Sequence, residues 1–218
     1  MPLFRPSVAA MRRPRRGSLR APGAAVSLAL LASALAACGG SQSTTGAAAG
    51  SSPGGLAGAS LPPGAPHDFT LVDEAGGRVS TSEFRGHAVV LAFVGARCGA
   101  PCTVIGDQVR GALDDLARSV PVLLVSVDPA GDSRAAIARF LARVSLGGRA
   151  RFLTGSAAAL RVAWRPYRVP APARGAAIFE RFAPVILLDR EGRARVEYAL
   201  EGLTPEALAH DIRALERG

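Results

Sequence analysis

Two cysteines separated by three residues, in Cys98-Gly99-Ala100-Pro101-Cys102, are the side chains best suited to chemistry in this sequence. Thiolates are strong nucleophiles and soft metal ligands. A close pair therefore offers electron exchange through a disulfide, or capture of a soft metal ion between two sulfurs. Four helical positions amount to about 6 Å of rise, near the upper end of the Cα spacing a disulfide tolerates. The pair closes with modest adjustment or stays open as a two-sulfur site. The third cysteine, Cys38, stands far upstream. The histidines are His67, before the first strand, His87, in a loop, and His210, in the last helix. We read all three as surface residues, with His67 or His87 as the substitutes should a further metal ligand be needed. No phosphate loop and no Ser/His/Asp set can be placed.

The elements around the pair give it a reactive position. Residues 88–95 (AVVLAFVG) are a continuous apolar run, as a strand buried on both faces requires. The pair follows where that strand ends and a helix begins. Helix N-termini carry unpaired amides and partial positive charge, which favour a thiolate. Val109, Leu113 and Leu116 form the apolar stripe of the helix after Cys102. Residues 120–127 (VPVLLVSV) read as a second buried strand. Asp132 or Ser133 caps a helix running to 144, residues 151–153 form a short strand, and residues 157–167 a further helix. Residues 68–72 and 78–80 form an opening hairpin around the turn 73–77. Residues 184–188 and 193–198 form a closing one, which adds an antiparallel edge. Thr204 and Pro205 cap and open the last helix. Strands separated by helices imply an α/β fold, a central sheet covered on both faces. Trp164 and Tyr167 belong in or near the core. Residues 170–176 (PAPARGA) form a loop that either covers the site or merely connects. Arg97 stabilises the Cys98 thiolate or points to solvent, and Asp128 braces the site or starts a turn before Pro129.

The first 65 residues have a different composition. Residues 1–20 are basic, and residues 24–37 (AAVSLALLASALAA) are uncharged and apolar, too short to span a membrane comfortably. This is the pattern of a secretory signal peptide. Leu35-Ala36-Ala37-Cys38, followed by two glycines and a polar tail, resembles the bacterial lipobox, in which the cysteine is acylated and becomes the mature N-terminus. The other reading is a plain signal peptide with a chance cysteine. The expectation is a lipid-anchored chain on the extracytoplasmic side of the cell membrane, where disulfides persist. Residues 38–65, without charge and rich in Gly, Ser, Ala and Pro, are expected to be a flexible linker, with the folded domain over 66–218. The net charge of +9 suggests nucleic acid only until it is located, because six arginines and no acid precede residue 38. We expect no nucleic acid partner.

Several segments resemble the motifs of one family, in its order: Asp68-Phe69-Thr70-Leu71, Ser82-Glu83-Phe84-Arg85-Gly86, the thiol pair with three intervening residues, Val125-Ser126-Val127-Asp128-Pro129 with Asp132-Ser133, Leu153-Thr154-Gly155 leading to Tyr167-Arg168-Val169, and Gly202-Leu203-Thr204-Pro205-Glu206. Residues 66–218 thereby resemble the SCO/SenC family. The resemblance implies a thioredoxin-like fold, a central mixed sheet flanked by helices with an N-terminal hairpin. It also implies assembly of the dinuclear copper site of cytochrome c oxidase, by binding copper through two cysteines and a histidine or by reducing the oxidase cysteines. Cys98 and Cys102 occupy the cysteine positions, both as redox centre and as copper ligands. Arg181 falls where the family has its histidine, and arginine offers a metal no lone pair. Thr103 replaces a proline usual after the second cysteine. Pro184 lies near the position of the cis-proline of thioredoxin folds; cis and trans are both open.

From this resemblance we expect a thiol–disulfide oxidoreductase in oxidase assembly. A Cu(I) chaperone is the second reading. A peroxide-reducing enzyme is the third, disfavoured because the Pro and Thr before a peroxidatic cysteine are missing. The expected partner is a cytochrome c oxidase subunit or another exported thiol protein, met by a monomer.

Overall fold

The computed structural model describes residues 55–116, 118–170, 182 and 184–218. The expected signal segment, Cys38 and the linker up to residue 54 lie outside the described residues, as does most of the 170–176 loop.

The two long apolar runs become the middle of a six-stranded sheet. β4 (Val89–Val94) and β5 (Val122–Ser126) are buried at every residue and pair in parallel. Sealing both faces of a strand requires apolar side chains on both sides of the pleat, so the run is unbroken rather than alternating. On its other edge β4 pairs antiparallel with β7 (Val185–Leu188), which pairs with β8 (Ala194–Tyr198). β1 (Ala59–Ser60) lies outside β8, and β6 (Arg151–Leu153) runs parallel to β5 on the opposite edge. β2 (Thr70–Val72) and β3 (Arg78–Ser80) make a separate hairpin, tied to the end of β6 by a bridge from Val72 to Thr154. The architecture is the expected α/β fold, a central mixed sheet flanked by helices.

The helices are α1 (Ala100–Asp115), α2 (Arg134–Arg143), α3 (Ala157–Trp164) and α4 (Pro205–Arg217). Ser133, Ser156 and Thr204 each accept a backbone amide at the N-terminus of α2, α3 and α4. These bonds satisfy donors that a helix start leaves unpaired. α1 lies beside α4. It also closes tightly on the residue after α2, because a Cβ on Gly106 would stand 2.7 Å from Val144 Cγ1.

Two boundaries differ from the sequence reading. The folded domain starts before residue 66. Ala59 and Ser60 pair with Glu197 and Val196, and the amides of Ala57 and Gly58 donate to the Asp211 carboxylate at 2.7 and 2.9 Å. The closing hairpin is therefore not the sheet edge, since β1 covers it. α1 begins at Ala100, ahead of Cys102 rather than after it. Gly99, at φ 83°, makes the sharp entry that a side chain would resist, and Pro101 sits in the first turn, where its missing N–H is no loss.

Candidate functional site

β4 delivers the chain to the dithiol. After Val94 the backbone turns through Gly95, Ala96 and Arg97, and the Cys98 amide closes the turn on the Gly95 carbonyl at 3.2 Å. Cys98 precedes Gly99, the residue that caps α1, and Cys102 sits in the first turn of that helix. The two are joined in a disulfide with their Cα atoms 5.9 Å apart. They are not equivalent. Cys98 is half-buried, whereas Cys102 has no exposed surface and its sulfur accepts the Gly95 N–H at 3.3 Å. An incoming thiol or disulfide reaches Cys98 first. Cys102 is held behind it with an amide already aimed at the sulfur.

A buried carboxylate fixes the turn from below. Asp132 is 7% exposed, and its two oxygens accept the Ala96 N–H at 2.7 Å and the Ser126 hydroxyl at 2.6 Å. Burial pushes the Asp132 pKa up, and the nearby Asp128 adds to this; the Ser126 and Ala96 hydrogen bonds pull the other way without cancelling it. The sequence offers Asp132 as one of two possible helix caps. Ser133 takes that role, which frees Asp132 to reach back to the dithiol turn. A doublet of cap-forming residues before one helix is the sequence signal: one of the two is spare.

Other residues singled out from the sequence fall as follows. Asp128 lies against the turn, since a Cβ on Gly95 would be 3.7 Å from its Cβ; its carbonyl accepts the amides of Gly131 and Asp132, so it shapes a turn and borders the site at once. Arg97 is exposed and makes no ion pair among the described residues. Trp164 is buried and donates from Nε1 to the Ser126 carbonyl at 2.9 Å. The Tyr167 ring packs on Phe93 at 5.4 Å, and its hydroxyl is buried with no hydrogen-bond partner; burial, helped by the Asp68 charge, pushes its pKa up to about 12. Phe182 also meets Phe93, with 6.3 Å between ring centroids. The Pro184 carbonyl accepts the Phe93 amide at 2.8 Å, which seats this proline beside the strand leading to the dithiol. Its own peptide bond begins at Ala183, outside the described residues, where Arg181 also lies.

The histidines do not gather at the sulfurs. His67 is exposed and meets the edge of the Tyr167 ring at 6.4 Å. His87 precedes β4, at the end of that strand opposite the dithiol. His210 is on α4, with Nδ1 2.9 Å from Asp211 Oδ1. Among the described residues no three His, Cys, Asp or Glu side chains are grouped to hold a metal ion. What the described site offers a metal is two sulfurs, a set that suits a soft ion of low coordination such as Cu(I).

A family model described as SCO1/SenC matches residues 60–217. The chain belongs to the SCO1/SenC family. Solved structures carry the same fold. The solution structure of apo Sco1 from Thermus thermophilus aligns at 26% identity with a TM-score of 0.60, over 74% of this chain and 97% of that one. BsSco, described as a member of the Sco family of cytochrome c oxidase assembly proteins with a disulfide switch, aligns at 18% identity and TM-score 0.57, over 72% and 97% of the two chains. ScoI of Bradyrhizobium japonicum, determined with copper bound, aligns at 24% identity and TM-score 0.52, over 70% and 99%. No curated protein matches this sequence. Within the SCO1/SenC fold of this chain, the disulfide stands at the entry to the first long helix.

Proposed function

We propose that this chain is a membrane-anchored thiol–disulfide exchange protein of the extracytoplasmic space that serves respiratory oxidase assembly. Cys38 carries the lipid. The observation that supports the exchange chemistry most directly is the asymmetry of the Cys98–Cys102 disulfide, one residue half-buried and the other fully buried with an amide donating to its sulfur. In the reduced protein the Cys98 thiolate attacks a partner disulfide, forming a mixed disulfide and releasing one partner thiolate. The Cys102 thiolate then attacks the Cys98 sulfur, closing the Cys98–Cys102 bond and expelling the second partner thiolate. Two electrons pass to the partner. The two protons of the dithiol end on the partner thiols. The helix N-terminus favours the Cys98 thiolate, and the Gly95 amide favours negative charge on Cys102.

The copper-bound relative supports a second reading in which Cu(I) is cargo, held between the two thiolates and passed to an oxidase subunit. One set of experiments separates the two. Reduced protein is mixed with a peptide disulfide and, in parallel, titrated with Cu(I) in competition with a chelator. Exchange abolished by Cys98→Ser and trapped as a mixed disulfide by Cys102→Ser is the expected result. Stoichiometric Cu(I) binding lost in both variants, without any exchange, would favour the cargo reading.

A further inference from the structure

Between Asp132 and Glu180 the sequence carries nine arginines and no acid, whereas the remaining residues from Cys38 onward carry eleven arginines against seventeen acids. The charge is unevenly distributed along the domain's sequence. Arg134, Arg139 and Arg143 on α2, Arg161 on α3, and Arg165 and Arg168 in the turn after it are all exposed. None of these six makes an ion pair among the described residues, while Arg85, Arg110, Arg118, Arg149, Arg193 and Arg195 each meet a carboxylate. The positive charge of α2 and α3 is left open to solvent.

Part of this charge borders the dithiol. The Arg143 guanidinium donates to the carbonyl of Ala96, two residues before Cys98, at 3.5 Å. Tyr167, between Arg165 and Arg168, packs on Phe93 at the end of β4, and Trp164, next to Arg165, bonds the last residue of β5. Arg97, beside Cys98, is exposed and likewise without an ion pair among the described residues. Arg97, Arg143 and the half-buried Cys98 thus share the end of the sheet at which β4 and β5 terminate, whereas Arg134 reaches the β2–β3 turn, 4.0 Å from a Cβ on Gly76.

We propose that this arginine-lined side is a docking surface for an acidic protein face that carries the exchanged cysteines. The proposal deepens the exchange reading and rests on it. An uncompensated field around a reactive thiol raises the encounter rate with partners of opposite charge and suppresses those of like charge. Guanidinium groups also match carboxylates in shape, with two parallel donors each.

The test uses the full-length reduced chain and two disulfide peptides of equal length around the same cysteines, one flanked by Asp and Glu, the other by Arg. A small neutral disulfide, hydroxyethyl disulfide, is the reference substrate. At low salt the acidic peptide should be reduced about tenfold faster than the basic one. The preference should collapse at about 0.5 M salt, where exposed charges are screened within a few ångströms. Arg139→Glu, one helical turn from Arg143, or Arg161→Glu with Arg165→Glu, should remove it while leaving the neutral disulfide unaffected. Arg193→Glu, which already faces a carboxylate elsewhere, should leave it in place. Equal rates for the two peptides at low salt, or a preference that survives both reversals, would overturn the proposal. So would reversal-sensitive binding to phosphatidylglycerol vesicles without any peptide preference, which would assign the surface to lipid. If no disulfide is reduced, the small one included, the exchange reading fails by itself. Anisotropy of a labelled cysteine-free acidic peptide then decides the docking surface, with binding lost in the reversed variants supporting it and no binding refuting it.

Discussion

Asp132 accepts hydrogen bonds from Ala96 and Ser126 in a place where water cannot substitute for either oxygen. Removing the carboxylate orphans a buried amide and a buried hydroxyl, each worth about 1–3 kcal/mol of lost stability. Asp132→Ala should therefore lower unfolding stability by about 3 kcal/mol in urea. Asp132→Asn should lower it far less, because its oxygen still accepts from Ala96 and its amide can donate to the Ser126 oxygen. The two proteins should also differ with pH. Burial, with Asp128 beside it, raises the Asp132 pKa above the ordinary carboxylate value of 3.8, so the folded chain binds the proton more tightly than the unfolded chain. That contribution is fully present below the ordinary value and is lost as pH climbs through the raised one. Wild type should lose ground to Asp132→Asn across that interval and run parallel to it above; a constant gap would contradict the assignment. The reactive pair itself was legible in the sequence, because two thiols at a strand-to-helix junction are visible as letters. Its support was not. Asp132 and Ala96 lie 36 positions apart, and only the closed sheet brings them together.

The strands and helices were legible where burial forces composition. β4 and β5 are uninterrupted because both faces are covered, and α2, α3 and α4 announce themselves through Ser133, Ser156 and Thr204. β1 escaped because residues 55–60 (GLAGAS) have neither alternation nor β-branched side chains; its position comes from elsewhere in the chain. The Asp211 carboxylate accepts from Ala57, Gly58 and the Tyr198 hydroxyl, and lies 2.9 Å from His210 Nδ1. Burial pushes its pKa up, yet the bonds from Gly58, Tyr198, Ala57 and His210 outweigh burial and hold it below 3.8. A depressed carboxylate stabilises the fold above its unfolded pKa and stops doing so as pH falls through the folded value. Hydrogen-exchange protection of the Ala57 and Gly58 amides should thus be steady from neutral pH down to the ordinary carboxylate range and collapse below it. Asp211→Asn should open β1 already at neutral pH, with protection at these two amides falling about 10- to 100-fold, as expected for losing charge-assisted bonds, while β4 and β5 stay protected. Unchanged protection in that variant would mean that the pairing with β8 holds β1 without the carboxylate.

For the molecule as a whole, the dithiol and the fold set each other's stability. The Cys98–Cys102 bond spans a sequence separation of four, a short loop whose closure in an unfolded chain costs about 2 kcal/mol of entropy. The fold has already placed the two Cα atoms 5.9 Å apart, so the folded chain forms the bond without meeting that cost again. Against this stands the helix N-terminus, which favours the reduced thiolate by about 0.3–1 kcal/mol. Loop closure is the larger effect. The oxidised protein should therefore unfold at a higher urea midpoint than the reduced one by an amount equivalent to about 1 kcal/mol, with an unchanged dependence on denaturant. The same difference must appear in the electrochemistry, because folding and oxidation share one thermodynamic cycle. The folded dithiol should have a reduction potential about 20 mV more negative than the same pair in the urea-unfolded chain. Equal midpoints would show that thiolate stabilisation at the helix mouth matches loop closure. A higher midpoint for the reduced form would show that it exceeds it, making the folded dithiol a weaker reductant than the same pair in the unfolded chain.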